Sequence, residues 1–198
     1  MTPSQTVFNG RWDFYMNTKL IWLREKMKML DLQGMIISNP INVRYLTGIS
    51  AEGILLIRRI ENIFLTDARY IEEVNSVLTI DDGISVHEFK DFSAYDYENF
   101  FVFCENVGFE EDYVTYSKYK EFMHKYKINS LQETEKVIEK QRIIKDEEEI
   151  ENLQKACELT DKCFEHLLEF IKVGKTEKEI AFEIERFFKT NGAERKFF

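Results

Sequence analysis

The fold of this chain is set by the stretch Met35-Ile36-Ile37-Ser38-Asn39-Pro40-Ile41-Asn42-Val43-Arg44-Tyr45-Leu46-Thr47-Gly48. Its first four residues, three of them apolar, are typical of a buried strand bounded by turn residues. The remainder is rich in turn residues and carries amide groups, a guanidinium and an aromatic ring. Loops at strand ends commonly carry the binding groups of α/β sheets. This segment therefore predicts a binding loop, with Asn42, Arg44 and Tyr45 as candidate binding residues.

A structural interpretation of the same loop stands beside the functional one. In that interpretation Asn42 caps the turn and Arg44 is solvated. Tyr45 and Leu46 then fill the core, as large apolar side chains usually do. The sequence by itself leaves both interpretations open.

A second loop, Thr66-Asp67-Ala68-Arg69-Tyr70, follows an apolar run at residues 63–65. It is also a candidate binding loop, with Asp67 and Arg69 as its charged groups. The structural alternative is that Asp67 caps the helix that follows while Arg69 pairs locally.

Short apolar runs alternate with helical patterns over the first two thirds of the chain. Strands are predicted at residues 35–38, 53–57, 63–65, 84–87 and 107–109, and helices at 20–30, 69–74, 95–106 and 117–126. This alternation predicts an α/β domain whose sheet has helices on both faces. We place the domain at residues 18–135 and set aside residues 1–17, which show no clean period, as a leader or extension.

Long helical patterns follow at residues 146–171 and 176–189. Acidic residues open the first, and Thr176 with Glu179 forms a capping box before the second. Little sequence is left to cover their apolar faces, so we interpret residues 136–198 as a connector and the first helices of a truncated domain. Exposed stripes of this kind favour association, and we expect dimers or swapped helices.

The composition narrows the possible partners. Acidic residues outnumber basic ones by 36 to 27, giving a net charge of −9, which disfavours binding to nucleic acid or anionic membranes. Apolar runs fall far short of the roughly 20 residues that a membrane helix needs. We therefore expect a cytoplasmic protein whose three cysteines are reduced core thiols.

Residues with catalytic potential are sparse. His87, His124 and His166 lie in three separate predicted elements, and no zinc-binding spacing, phosphate-binding glycine loop or nucleophile elbow occurs. Cys163 and His166 share one helix face, but two ligands do not hold a metal and packing is the simpler account. We predict neither a catalytic nor a metal-binding residue in this chain.

Six segments along the chain form an ordered set of motifs. They are Asn39 to Gly48, Leu65-Thr66-Asp67-Ala68-Arg69-Tyr70, Val107-Gly108-Phe109-Glu110, Arg142 to Ile150, Gly174 to Ala181 and Asn191-Gly192-Ala193-Glu194. Their order is the one found in Xaa-Pro peptidases, and over roughly residues 18–198 the chain resembles the creatinase/prolidase family of metallopeptidases. The resemblance implies an amino-terminal domain with a mixed sheet flanked by helices. The helices after it would open an incomplete pita-bread catalytic domain.

The resemblance also implies a function for the full-length parent. Such enzymes cleave the peptide bond before proline with two divalent ions, manganese, cobalt or zinc, which generate hydroxide and polarise the scissile carbonyl. The family's ligands, two aspartates, a histidine and two glutamates, lie later in the catalytic domain, and none can be carried onto this sequence. The chain would be the dimerisation and substrate-gating portion, inactive alone, with Asn42, Arg44, Tyr45, Asp67 and Arg69 as gating candidates. Its partners would be a second copy and proline-containing peptides.

Two alternatives stay open at this level. Some relatives keep the fold without the metals, so the chain could belong to a non-enzymatic protein-interaction module. A creatinase-like hydrolase acting on a different small amide would share the same first domain.

Overall fold

A computed structural model describes residues 18–78 and 83–193. The chain divides into two compact units between Ile143 and Ile144. The leader predicted at residues 1–17 lies outside the described residues. Elements of the first unit, in chain order, are α1 (Thr18–Met29), β1 (Gly34–Ile37), α2 (Pro40–Thr47), β2 (Gly53–Arg58), β3 (Asn62–Thr66), a 3-10 turn (Ala68–Tyr70), α3 (Ile71–Val77), β4 (Ser85–Glu88), α4 (Ala94–Phe100), β5 (Val107–Phe109), α5 (Tyr116–Lys125), β6 (Leu131–Glu133) and α6 (Val137–Ile143).

The strands form one mixed sheet in the order β4-β3-β2-β1-β5-β6. Strand β2 runs antiparallel to both β1 and β3, whereas β5 is parallel to β1 and to β6, and β4 is parallel to β3. The predicted mixed α/β sheet is confirmed. This topology brings the carboxyl ends of β1, β3 and β5 to the same edge of the sheet.

Helices cover both faces of the sheet, as predicted. Alternate residues of the strands point to opposite faces, so Met35 and Ile57 join one buried cluster while Ile36 and Leu56 join the other. Helices α1, α2, α3 and α6 contribute side chains to the first cluster, and α4 and α5 contribute to the second. The core is therefore two apolar layers separated by the sheet.

The predicted loop at residues 39–48 is wrong, because Pro40–Thr47 form helix α2. Asn39 caps the helix by accepting a hydrogen bond from the Ile41 N–H, and Pro40 occupies the first helical position, where its missing N–H costs nothing. Gly48 ends the helix with a φ of 76°. The cap is thus Asn39 and not Asn42.

Other differences concern the end of one predicted helix, two elements that were not predicted and the end of the first domain. The helix predicted at 95–106 ends at Phe100, because Phe100 and Phe101 both turn into the second cluster and the chain then leaves the helix for β5. Strand β6 and helix α6 were not predicted. Because α6 packs within the first unit, that unit continues past the boundary expected at residue 135.

Between residues 144 and 193 the second unit contains two helices, α7 (Glu147–Phe170) and α8 (Glu177–Thr190), which pack on each other. Each begins with a capping box, formed by Asp146 with Glu149 and by Thr176 with Glu179. Both helices were predicted nearly to their ends. None of the helices among the described residues combines the length and the apolar character required to cross a membrane.

Candidate functional site

Asn42 lies at the sheet edge where the carboxyl ends of β1 and β5 meet. Asn42 is 0% exposed, and its side chain takes part in three hydrogen bonds. The Nδ2 atom donates to Glu110 Oε1 at 2.8 Å and also to Glu139, while Arg142 Nη1 donates to Asn42 Oδ1 at 3.2 Å. We name these four residues, Asn42, Glu110, Glu139 and Arg142, the Asn42 cluster.

Glu110 is the carboxylate at the centre of this cluster and is only 6% exposed. Its Oε2 accepts from the backbone N–H groups of Ser38 and Asn39, at 2.7 and 2.8 Å, just before α2 begins. Burial raises the pKa of the Glu110 carboxyl, and the hydrogen bonds from Asn42, Asn39 and Ser38 oppose that increase. The carboxylate therefore ties the end of β5 to the start of α2.

Helix α6 supplies the other two members of the cluster. Besides Glu139 and Arg142, it provides Gln141, whose Nε2 donates to the Lys19 carbonyl in α1 at 3.1 Å. Three helices, α1, α2 and α6, are thus joined by side-chain hydrogen bonds on one face of the sheet. This network holds α2 in place, and α2 carries the remaining gating candidates of the first loop.

Arg44 and Tyr45 lie on α2 beyond the cluster. Arg44 is exposed, and Tyr45 is half-buried against the first core layer. The Lys19 ammonium lies 4.3 Å from the centroid of the Tyr45 ring, a cation–π contact that holds the ring against α1. Leu46 is fully buried, in agreement with the structural interpretation of this segment.

Asp67 and Arg69 follow β3 at the same sheet edge and make contacts of their own. Asp67 Oδ1 accepts from the Arg69 N–H at 3.1 Å and from Arg69 Nε at 3.0 Å, which lowers the pKa of the Asp67 carboxyl. Arg69 also approaches Glu52, with 3.9 Å between Nη2 and Oε2. The local cap and pair proposed from the sequence are confirmed. Because β2 separates β1 from β3, about 10 Å of sheet lies between this pair and the end of β1.

A metal centre needs several converging ligands. Residues 18–78 and 83–193 contain no group of three or more His, Cys, Asp or Glu side chains placed to hold a metal ion. His166 Nε2 instead lies 2.5 Å from Glu183 Oε1 in the second unit, and its ring stacks on Phe187. The described residues therefore do not fit a two-metal centre.

Sequence reasoning missed Glu110, Glu139 and Arg142 as partners of Asn42. These residues lie 68 to 100 positions away along the chain, so no local pattern joins them. One signal was available for Glu110, since it directly follows a buried strand. Had β1 and β5 been recognised as parallel neighbours, their carboxyl ends would have placed Asn42 and Glu110 together.

Most of the chain matches the models of two known protein families. Residues 20–144 match the model of the creatinase/prolidase N-terminal domain. The chain belongs to the creatinase/prolidase family. Residues 151–198 match metallopeptidase family M24, in agreement with the interpretation of the later helices as the start of a catalytic domain.

Individual relatives of this creatinase/prolidase chain are peptidases. An uncharacterized peptidase of Bacillus subtilis is 32% identical over 185 residues, covering 91% of this chain and 51% of the relative. An Xaa-Pro dipeptidase of Pyrococcus furiosus is 31% identical, covering 89% of this chain and 50% of the relative. The chain spans about half the length of the curated relatives it matches.

Two solved peptidase structures also resemble this chain over about half of their own length. The prolidase of Pyrococcus horikoshii has a TM-score of 0.78 and 30% identity, covering 90% of this chain and 50% of its own. An Xaa-Pro dipeptidase from Bacillus anthracis has a TM-score of 0.78 and 28% identity, with 88% and 49% covered.

Proposed function

We propose that this chain is the amino-terminal, dimerisation and substrate-gating portion of a metal-dependent Xaa-Pro peptidase. The complete protein would hydrolyse the peptide bond before proline. One observation carries the proposal: about nine tenths of the chain matches Xaa-Pro dipeptidases, yet it covers only half of them. The described residues hold no metal-binding group, so the chain alone is expected to be inactive.

The gating role would belong to the exposed part of α2 and to the pair that follows β3. Arg44 is exposed on α2, and Arg69 is 68% exposed beside Asp67. Both are guanidiniums at one sheet edge, suited to bind the carboxylate of a short peptide. Tyr45 would add an apolar surface, and Asn42 would act through its buried hydrogen bonds by holding α2 in position.

The metals of the complete protein, manganese, cobalt or zinc, would be bound by residues outside those described here. In such a centre they would activate water and polarise the scissile carbonyl. A cytoplasmic location belongs to the same proposal, and it is supported by three cysteines that form no disulfide.

The first experiment compares the activity of this chain with that of the complete protein. The 198-residue chain and the complete product of its gene are assayed side by side on Xaa-Pro dipeptides, with added manganese, cobalt or zinc. We expect hydrolysis only by the complete product. Hydrolysis by the purified chain would overturn the assignment of the metal centre. An inactive complete product would favour the non-enzymatic interaction module.

The second experiment tests gating in the complete product. Arg44→Ala and Arg69→Ala are compared for kcat/KM on an Xaa-Pro dipeptide and on a longer peptide with the same first two residues. We expect each variant to change the ratio between the two substrates, because a gate acts on length and not on chemistry. Tyr116→Ala is the control, since Tyr116 is 74% exposed on α5 over the other sheet face. An unchanged ratio in both arginine variants would refute the gating role.

A further inference from the structure

A groove lies between α1 and the segment that leads into α6, within the first unit. Its volume is about 300 Å³, the lower end of the range for small-molecule sites. We call it the α1–α6 groove; Thr134 and Glu135 border it, and the six side chains on which the argument rests are Trp22, Lys26, Met29, Leu30, Val137 and Lys140. None of the six belongs to the Asn42 cluster or to the gating candidates.

The floor of the α1–α6 groove is apolar and its rim is open. Trp22 is half-buried against the first core layer, and Val137 is 5% exposed. Met29 and Leu30, at the end of α1, are 75% and 40% exposed. Adjacent exposed apolar side chains beside a tryptophan form the kind of surface that a ligand with an apolar body covers.

The charged groups at the rim are mainly positive. The Lys26 ammonium lies 5.2 Å from the centroid of the Trp22 ring, and Lys140 borders the groove from α6. Glu135 is the acidic residue of the lining, 3.4 Å from Lys140. Two ammonium groups against one carboxylate stand out in a chain with a net charge of −9, and they complement an anion.

The edge of the groove nearest α6 is a strained turn. Glu135 and Lys136 have φ values of 49° and 60°, a region that costs about 1–2 kcal/mol for each residue other than glycine. The Glu111 carboxylate holds this turn by accepting from the N–H groups of Thr134 and Lys136, each at 3.0 Å. The edge is therefore preformed and does not have to be ordered by a ligand.

We propose that the α1–α6 groove binds a small aromatic carboxylate. The ring lies against Trp22 and Val137, and the carboxylate lies between the ammonium groups of Lys26 and Lys140. Apolar contact area supplies the affinity, and the two lysines select for the negative charge. The proposal is independent of the proposed peptidase function, because it uses none of the same residues.

The test uses 4-phenylbutyrate as the probe on the whole chain. Calorimetry measures affinity, and the NMR signal of the Trp22 indole N–H reports the place of binding. The chain has two tryptophans, so a Trp12→Phe background leaves Trp22 as the single indole signal. We expect saturable binding that shifts the Trp22 signal, with 4-phenylbutan-1-ol, the uncharged analogue, binding more weakly.

Lysine variants measure how much of the affinity depends on charge and how much on apolar contact. In Lys26→Gln/Lys140→Gln we expect affinity for the carboxylate to fall about three- to tenfold, as the loss of two exposed ion pairs predicts, with little change for the alcohol. Lys120→Gln is the matched control, because the Lys120 ammonium also lies over an aromatic ring, 4.8 Å from the Tyr116 centroid, on the other face of the sheet. It should bind like the parent chain.

Four outcomes would overturn the proposal. They are no shift of the Trp22 signal at millimolar probe, equal affinity for the carboxylate and the alcohol, an equal loss in Lys120→Gln, and a Trp22 signal that moves with protein concentration alone. The last would mean that a second copy of the chain occupies the groove.

Discussion

The two units differ in how fully each encloses its own apolar side chains. In the first, both faces of the sheet are covered, strands β1, β2, β3, β5 and β6 contribute buried residues, and Val86 of β4 packs partly buried against the first layer. In the second, between Ile144 and Ala193, only Cys163 and Glu183 are buried. Large apolar side chains along α7 and at its C-cap are exposed at Ile150, Leu153, Phe164, Leu168 and Ile171. We call these five residues the α7 stripe.

This difference separates a domain from a supersecondary unit. Two amphipathic helices can bury one face against each other, but a second apolar face then needs another partner. Helix α7 has such a second face in the α7 stripe. The first unit is thus built to be stable by itself, whereas the second has apolar surface available for a further partner.

The largest expected effect comes from a matched pair of leucine substitutions. Leu56 is 0% exposed in β2, and Leu168 is 63% exposed in the α7 stripe. We expect Leu56→Ala to lower the free energy of unfolding by about 2–5 kcal/mol, because it opens a cavity in the core. Leu168→Ala should change it by about 0.5 kcal/mol or less. Urea unfolding followed by far-ultraviolet circular dichroism measures both, because helices of both units contribute to the signal, and similar losses would contradict the comparison.

A smaller effect is expected for the Asn42 cluster. Asn42→Ala removes the donor of Glu110 and Glu139 and the acceptor of Arg142 at once, so we expect a loss of about 1–3 kcal/mol in the free energy of unfolding. Asn99→Ala is the control, because Asn99 is an exposed amide that donates to the Tyr95 carbonyl within α4. If the two variants were equally stable, the cluster would not be holding α2 in place.

The Asn42 cluster also shows which features could not be predicted from the sequence. Strands and long helices were predictable because periods of two and of about 3.6 residues are local, and the caps at Asp146 and Thr176 are local as well. Helix α2 was missed because Asn39-Pro40 signals a turn and also starts a helix, and eight residues are too few for a period to decide. Gating candidates were chosen by residue type, while the burial of Asn42 depends on α6, about a hundred positions later.

Self-association is a further test of the difference between the two units. We expect the chain to associate at tens of micromolar through the α7 stripe. The double variant Phe164→Lys/Leu168→Lys should weaken that association about tenfold, as the loss of about 1.4 kcal/mol of apolar contact predicts. Lysine is a good helix former, so α7 itself should persist. Sedimentation velocity measures the effect.

The control for self-association lies in the first unit. Ile60→Lys changes a residue that is 91% exposed in the turn between β2 and β3, and it should leave association unchanged. A monomeric parent chain at these concentrations, or an equal effect of Ile60→Lys, would count against the α7 stripe as the contact.

The smallest expected effect concerns the polar contact that joins α7 to α8. Glu183 accepts from Arg186 Nε at 2.8 Å and contacts His166, and these hydrogen bonds lower the pKa of its carboxyl to about 2. A depressed folded pKa contributes stability that is present above the ordinary glutamate pKa, near 4.5, and is lost as the pH falls toward 2. The packing of α7 on α8 should therefore loosen over that window. Because Cys163 is buried beside Glu183, its rate of reaction with 4,4′-dithiodipyridine, divided by the rate for the unfolded chain at the same pH, reports this opening in a background of Cys104→Ser and Cys157→Ser.

Glu183→Gln isolates that contribution from the many other carboxylates that titrate in acid. A carboxamide cannot be protonated in this range, so the variant should label a few times faster at neutral pH and show a smaller further increase between pH 4.5 and 2. Glu185→Gln is the matched control on α8, because Glu185 is half-buried and pairs with Lys189 at i,i+4, a contact of small energy, so the variant should retain the parent profile. Should Glu183→Gln and the parent show the same increase in acid, the packing of α7 on α8 would not depend on this carboxylate. The packing of α7 on α8 would then depend on the apolar contacts around Cys163.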